Sequence, residues 1–149
     1  MPIKHVSGGT RMEISGWTCI SIRGKPYQRG VAHGSLIAAD LRKVKKTIEF
    51  IVLNDYGVEL DFFIRAGRKY IRPTIERDFP ELFEEMRGIA DGAKLSLDFI
   101  IAWNNYFTLT ENWWSKLPPE EAAEVYGTTT GATTHGAIGE GGGTCLHSQ

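Results

Sequence analysis

The sequence predicts an α+β protein that is mainly helical, and three observations carry that expectation. Near the N-terminus, Ile14, Trp17, Cys19, Ile20 and Ile22 give a partly alternating apolar pattern, closed by Arg23–Gly24–Lys25–Pro26, which reads as one strand. From Tyr27 onward the apolar period becomes helical and recurs through four segments to about Phe107. From Gly127 to Thr144, 7 of 18 residues are glycine and 6 are threonine, so little remains there to bury. The chain therefore divides into a body, residues 1–126, and a Gly/Thr-rich segment, residues 127–149.

Each element has a local reason. A lone strand has unpaired edges, so the sequence predicts that something outside it completes a sheet. Pro26 suits a helix start, because its missing N–H has no intrahelical partner there. The first helix then runs from about Tyr27 to Tyr56, burying Ile37, Leu41, Val44, Ile48 and Ile51 on one face. Arg42, Lys43, Lys45 and Lys46 fill the gaps as a solvated basic face, and Gly57 stops it. A second helix spans about Asp61–Arg77, with Gly67 and Pro73 as points where it splits. Pro80 opens a third, burying Leu82, Phe83, Met86 and Ile89, with Glu81, Glu84 and Glu85 near its positive end and Gly92 as its stop. Ser96 caps a fourth, with Asp98 in its first turn and Leu97, Ile100, Ile101 and Phe107 on one side.

Composition excludes several function classes. With 149 residues, 42% of them hydrophobic and 23% charged, the chain has material for one globular core. A formal net charge of −1 gives no field favouring nucleic acid or an anionic membrane. Two cysteines are too few for a disulfide framework and point to a reduced compartment. The opening MPIKHVSGGTRME has no apolar core and so no signal for secretion. No apolar run approaches the roughly 20 residues that span a bilayer. The expectation is a cytoplasmic protein without membrane or nucleic-acid partners.

Few residues offer chemistry. Cys145 lies two positions from His147 and near His135, but residues at i and i+2 face opposite ways on a strand, and no metal spacing is present. Cys145 therefore reads as a bystander, and Cys19 as a small buried apolar residue. His33 reads as a structural histidine. The richer cluster is Trp103–Asn104–Asn105–Tyr106: the two amides and the phenol can hydrogen-bond an amide, while Trp103, Phe107, Trp113 and Trp114 supply apolar surface. That mixture suits a pocket for an acyl or aromatic group, or else the aromatics cover the core and a subunit seam. Glu111 and Asn112, between the aromatics, serve as polar pocket or cap residues.

Two stretches carry a resemblance. Gly24–Gly34, GKPYQRGVAHG, and Glu84–Phe107, EEMRGIADGAKLSLDFIIAWNNYF, together resemble the N-terminal part of the isopenicillin N acyltransferase family of N-terminal-nucleophile (Ntn) hydrolases. The Gly…His-Gly pattern around His33 is similar to a helix start in that family where glycines permit close packing. The family stretch matching Trp103–Thr108 resembles Leu-Asn-Thr-Arg-Thr-Glu. Asn104 is retained, whereas Tyr106 stands in place of the arginine and Thr108 in place of the glutamate, which argues against a penicillin substrate.

The resemblance implies an αββα sandwich to which this chain contributes outer helices and strand, completed by a larger C-terminal subunit from the same self-cleaving precursor. It implies cleavage after Gln149, a nucleophilic cysteine at the start of the partner and none in this chain, and no metal or organic cofactor. The substrate class is a small-molecule amide or acyl compound, met by Trp103, Asn104, Asn105, Tyr106 and Glu111. The Gly/Thr-rich segment is then a loop that presents the scissile bond, where otherwise it reads as a disordered terminus. Two other readings stay open: a non-catalytic helical interaction module, and a lipid hydrolase subunit of the phospholipase-B-like group.

Overall fold

The computed structural model describes residues 3–111 and 117–121. It is α+β: a three-stranded antiparallel sheet precedes a set of helices. The sheet consists of β1 (Ile3–Val6), β2 (Gly9–Ile14) and β3 (Trp17–Ile22), paired in the order β1–β2–β3. The single strand expected across Ile14–Ile22 is thus corrected to three paired strands. The reason lies in Ser15–Gly16, where both residues have positive φ (50° and 84°), turning the chain back in a two-residue hairpin. Ser7–Gly8 performs the same task between β1 and β2, with Gly8 at φ 78°.

Alternation along the strands assigns their faces. Arg11 reaches the long helix α1 (Pro26–Tyr56), donating to the Leu36 carbonyl at 3.2 Å and pairing with Asp40. Lys4, opposite Arg11 in register, donates to the Ser35 carbonyl at 2.8 Å. The inner face therefore carries Lys4, Val6, Gly9, Arg11, Glu13, Thr18, Ile20 and Ile22. Ile3, Met12, Ile14, Trp17 and Cys19 point outward together with His5, Thr10 and Ser21, and Trp17 is 77% exposed. Cys19, expected in the core, is exposed on this outer face.

α1 begins on Pro26, with the Gln28 side chain accepting from the Lys25 N–H at 3.1 Å. It ends at Gly57, whose φ of 68° suits glycine and whose N–H reaches the Leu53 carbonyl at 3.1 Å. α2 (Leu60–Ala66) runs through a π-helical turn, Gly67–Ile71, into α3 (Arg72–Asp78). The interruption expected from Gly67 and Pro73 takes this form because a proline lacks the N–H and its ring crowds the preceding turn, and widening that turn relieves both.

α4 (Pro80–Ala93) passes through Gly92, the expected stop, and ends with Lys94 in the left-handed region at φ 60°. Gly92 is needed elsewhere. A Cβ on it would lie 2.3 Å from the Val31 carbonyl oxygen of α1. Gly88 would meet the Tyr27 oxygen at 2.2 Å, Gly30 the Glu85 oxygen at 2.1 Å, and Gly34 the Ile89 oxygen at 2.2 Å. Four glycines thus let α1 and α4 touch backbone to backbone. Around them Arg29 pairs with Glu85 at 2.7 Å, Tyr27 donates to Asp91 at 2.7 Å, and the Arg87 guanidinium lies 5.4 Å from the centre of the Tyr27 ring.

α5 (Leu97–Asn104) starts on Ser96, whose Oγ accepts from the Phe99 N–H at 3.2 Å, as the sequence predicts. After a bend at Asn105 the chain continues as α6 (Tyr106–Thr110). The core gathers Leu41, Ile48 and Val52 of α1 with Phe62, Phe63, Phe83, Met86 and Phe99–Ala102. Two expected core residues are corrected: Leu82 is 47% exposed and Phe107 is 85% exposed. Both lie in the first turn of their helices, beside the residues that turn inward.

The seam makes a stability prediction. Gly88→Ala forces a methyl onto a backbone oxygen that no side-chain rotation can move, so a loss of about 3 kcal/mol is expected in urea unfolding. Gly16→Ala has open space around it and meets only the positive-φ penalty, about 1 kcal/mol. Equal losses at the two positions would disprove the close-contact account.

Candidate functional site

A cleft of about 590 Å³ lies between α1 and the α5–α6 bend. One wall is a single stripe of α1: Lys43, Val44, Thr47, Ile48 and Ile51, spaced so that they share a face. The other wall is Trp103, Asn104, Tyr106 and Phe107. Three of the five residues expected at a pocket, Trp103, Asn104 and Tyr106, therefore come together here. Asn105 and Glu111 do not line it. Asn105 sits at the bend, half-buried, with its amide donating to the Ile101 carbonyl at 2.9 Å. Glu111 is exposed just beyond α6. Trp113, Trp114, Asn112, His135, Cys145, His147, Gln149 and the whole Gly/Thr-rich segment lie outside the described residues.

The aromatic wall is ordered by ring contacts. Trp103 and Tyr106 lie 6.0 Å apart between centroids, and Tyr106 meets Phe107 edge to face at 5.7 Å. Tyr106 also borders the core beside Ile48, Phe63 and Leu109, so it joins cleft to interior. Asn104 donates its amide to the Ile100 carbonyl at 2.9 Å, which orients the side chain and leaves its oxygen as an acceptor. Phe107 projects largely into solvent, giving the cleft an apolar lip.

Periodicity identifies Val44, Ile48 and Ile51 as buried positions without revealing which element faces them. Lys43 is legible only as a member of a solvated basic face, and Thr47 carries no sequence signal of its own. No sequence signal ties them to Trp103, because the pairing depends on how α1 crosses the later helices.

The described residues hold no nucleophile–base pair near the cleft. Cys19 is on the outer sheet face, and His33 sits half-buried within α1. Among the described residues no three His, Cys, Asp or Glu side chains converge as metal ligands. No helix among them is long and apolar enough to cross a membrane. The described lining of the cleft can bind and orient; it contains no group positioned to break a bond.

Comparison with known proteins adds one partial likeness. Over 76 residues, 49% of the chain, the sequence is 33% identical to a protein of Archaeoglobus fulgidus described as uncharacterized. The chain spans 13% of that protein's length. No family model matches the chain, and no solved structure matches it.

Burial holds the Tyr106 phenol above its ordinary value of 10.0, and electrostatic repulsion from the neighbouring Tyr56 and Asp55 side chains adds to the effect. The fold prefers the neutral phenol. Its contribution to stability is therefore fully present below about 10 and is lost as pH rises through the higher folded-state value. In an ultraviolet titration, the difference between the native protein and Tyr106→Phe is expected to show a phenol ionising later than free tyrosine. An ordinary or early transition would place the ring in full contact with water.

Proposed function

We propose that this chain is the small subunit of a self-cleaving Ntn amidohydrolase or acyltransferase, and that the cleft receives the acyl group of its substrate. The observation that carries the reading is the cleft wall itself. Trp103, Asn104 and Tyr106, singled out within a motif similar to the acyltransferase family, face one apolar space large enough for a small molecule. The two resembling motifs also pack on each other along the glycine seam, so they form one structural unit. The outer sheet face, with Ile3, Met12, Ile14 and Trp17, is the kind of apolar surface that a second layer covers. In this reading the larger subunit supplies that layer.

The chemistry follows from the nucleophile such a partner brings. A cysteine thiol is only slightly ionised at neutral pH and needs a base. Once the precursor's scissile bond is broken, the freed α-amine of the nucleophilic cysteine serves as that base. It takes the thiol proton, the sulfur attacks the amide carbonyl, and the proton passes to the departing amine as the C–N bond breaks. Water or a second amine then releases the acyl group from the thioester. The small subunit contributes binding and orientation, with no cofactor required.

Replacing the nucleophilic cysteine at the start of the larger subunit by alanine is expected to give an uncut, inactive precursor. Cys145→Ala should leave cleavage and most activity intact. Tyr106→Ala should raise KM and alter the ranking of acyl groups while self-cleavage proceeds, because uniform binding is what an aromatic wall provides. Intact-mass analysis of the native protein should resolve two co-eluting pieces. A single uncut chain with no amidase activity would instead favour an interaction module, with the exposed outer sheet face as its partner surface.

A further inference from the structure

We infer that the cleft selects acyl compounds bearing a carboxylate, with Lys43 as the residue that recognises the charged end. The inference rests on the reading of the cleft as the acyl pocket and names the class of molecule that pocket prefers. Its lining is dominated by Val44, Ile48, Ile51, Trp103, Tyr106 and Phe107, and Lys43 is the single charged residue among the described ones that line it. The Lys43 ammonium forms no ion pair among the described residues. Lys46, one turn along, is exposed on the same helix, whereas Arg42 donates to the Ala93 carbonyl of α4.

Geometry gives the cleft a direction. From Lys43 to Ile51 the α1 wall runs about 12 Å, at roughly 1.5 Å per residue. An anion is therefore attracted to the Lys43 end, and the rest of the lining carries no charge. A molecule with a carboxylate head and an apolar tail, alkyl or aryl, places its head at Lys43 and its tail along Val44, Ile48 and Ile51, beside the Trp103–Phe107 wall. Thr47, one turn along the same face, offers a hydroxyl partway down. Uncharged acyl compounds gain the tail contacts alone.

The test uses octanoate and 1-octanol, matched in tail and lacking any amide, so that binding is separated from turnover. Calorimetric titration of the native protein at low ionic strength is expected to favour octanoate about fivefold, the scale of one solvent-exposed ion pair. Added salt should narrow that margin. Lys43→Glu, on an exposed helix face where folding is not at stake, should remove or reverse the preference. Phe107→Ala should weaken both ligands alike. Equal affinity for the two ligands, a preference that survives Lys43→Glu, or binding of neither would overturn the inference. The underlying reading fails separately. Octanoate preferred through Lys43, with no N-acyl amide cleaved by the native protein, would remove the amidohydrolase and keep the cleft. Cleavage of N-acyl amides untouched by saturating octanoate and by Lys43→Glu would do the reverse.

Discussion

Backbone-to-backbone contact between α1 and α4 is the constraint on which the rest of the molecule depends. Gly30 and Gly34 of one helix and Gly88 and Gly92 of the other each sit where a Cβ would come within 2.1–2.3 Å of a carbonyl oxygen across the seam. What points at each oxygen instead is a Cα hydrogen, a weak but favourable contact that repeats four times. Glycines inside helices cost about 1 kcal/mol each relative to alanine, so their placement needs a tertiary return. Close approach supplies it. It brings Arg29 to Glu85 and Tyr27 to Asp91, and it leaves α1 no freedom to slide along α4.

That fixed crossing decides where the cleft lies. The N-terminal half of α1 is held against α4, so its C-terminal half projects past α5 and α6. There the facing side chains are large and separated, not small and interlocked. Trp103, Tyr106 and Phe107 prop one side, and the stripe from Lys43 to Ile51 forms the other. One helix thus serves two purposes along its length: glycine-lined contact first, open apolar wall second.

The sheet inverts the usual polarity. Part of its helix-facing side is charged, with Arg11 joined to Glu13, Asp40 and the Leu36 carbonyl, while Ile3, Ile14 and Trp17 face outward. Partly buried guanidinium–carboxylate bonds of this kind orient a sheet on a helix without adding much stability on their own. An apolar face turned to solvent adds none.

Local rules account for what the sequence determined. Pro26, Gly57, Pro80 and Ser96 mark helix ends because each acts within one turn through a missing N–H, a left-handed φ or a side-chain cap, and all four operate as such. The apolar stripe of α1 was legible for the same reason, and so was the aromatic cluster at Trp103–Tyr106. Tertiary structure decided the remainder. Gly92 has the local signature of a stop, yet packing against Val31 overrides it and moves the end to Lys94. The Ser15–Gly16 turn hides within an apolar run that reads as continuous until the strands pair. Lys43 and Thr47 become cleft residues, and Asn105 does not, because membership depends on which way two distant segments cross. A crossing is set by contacts between residues some sixty positions apart in sequence, as Tyr27 and Asp91 are, and no periodicity within either segment contains that information.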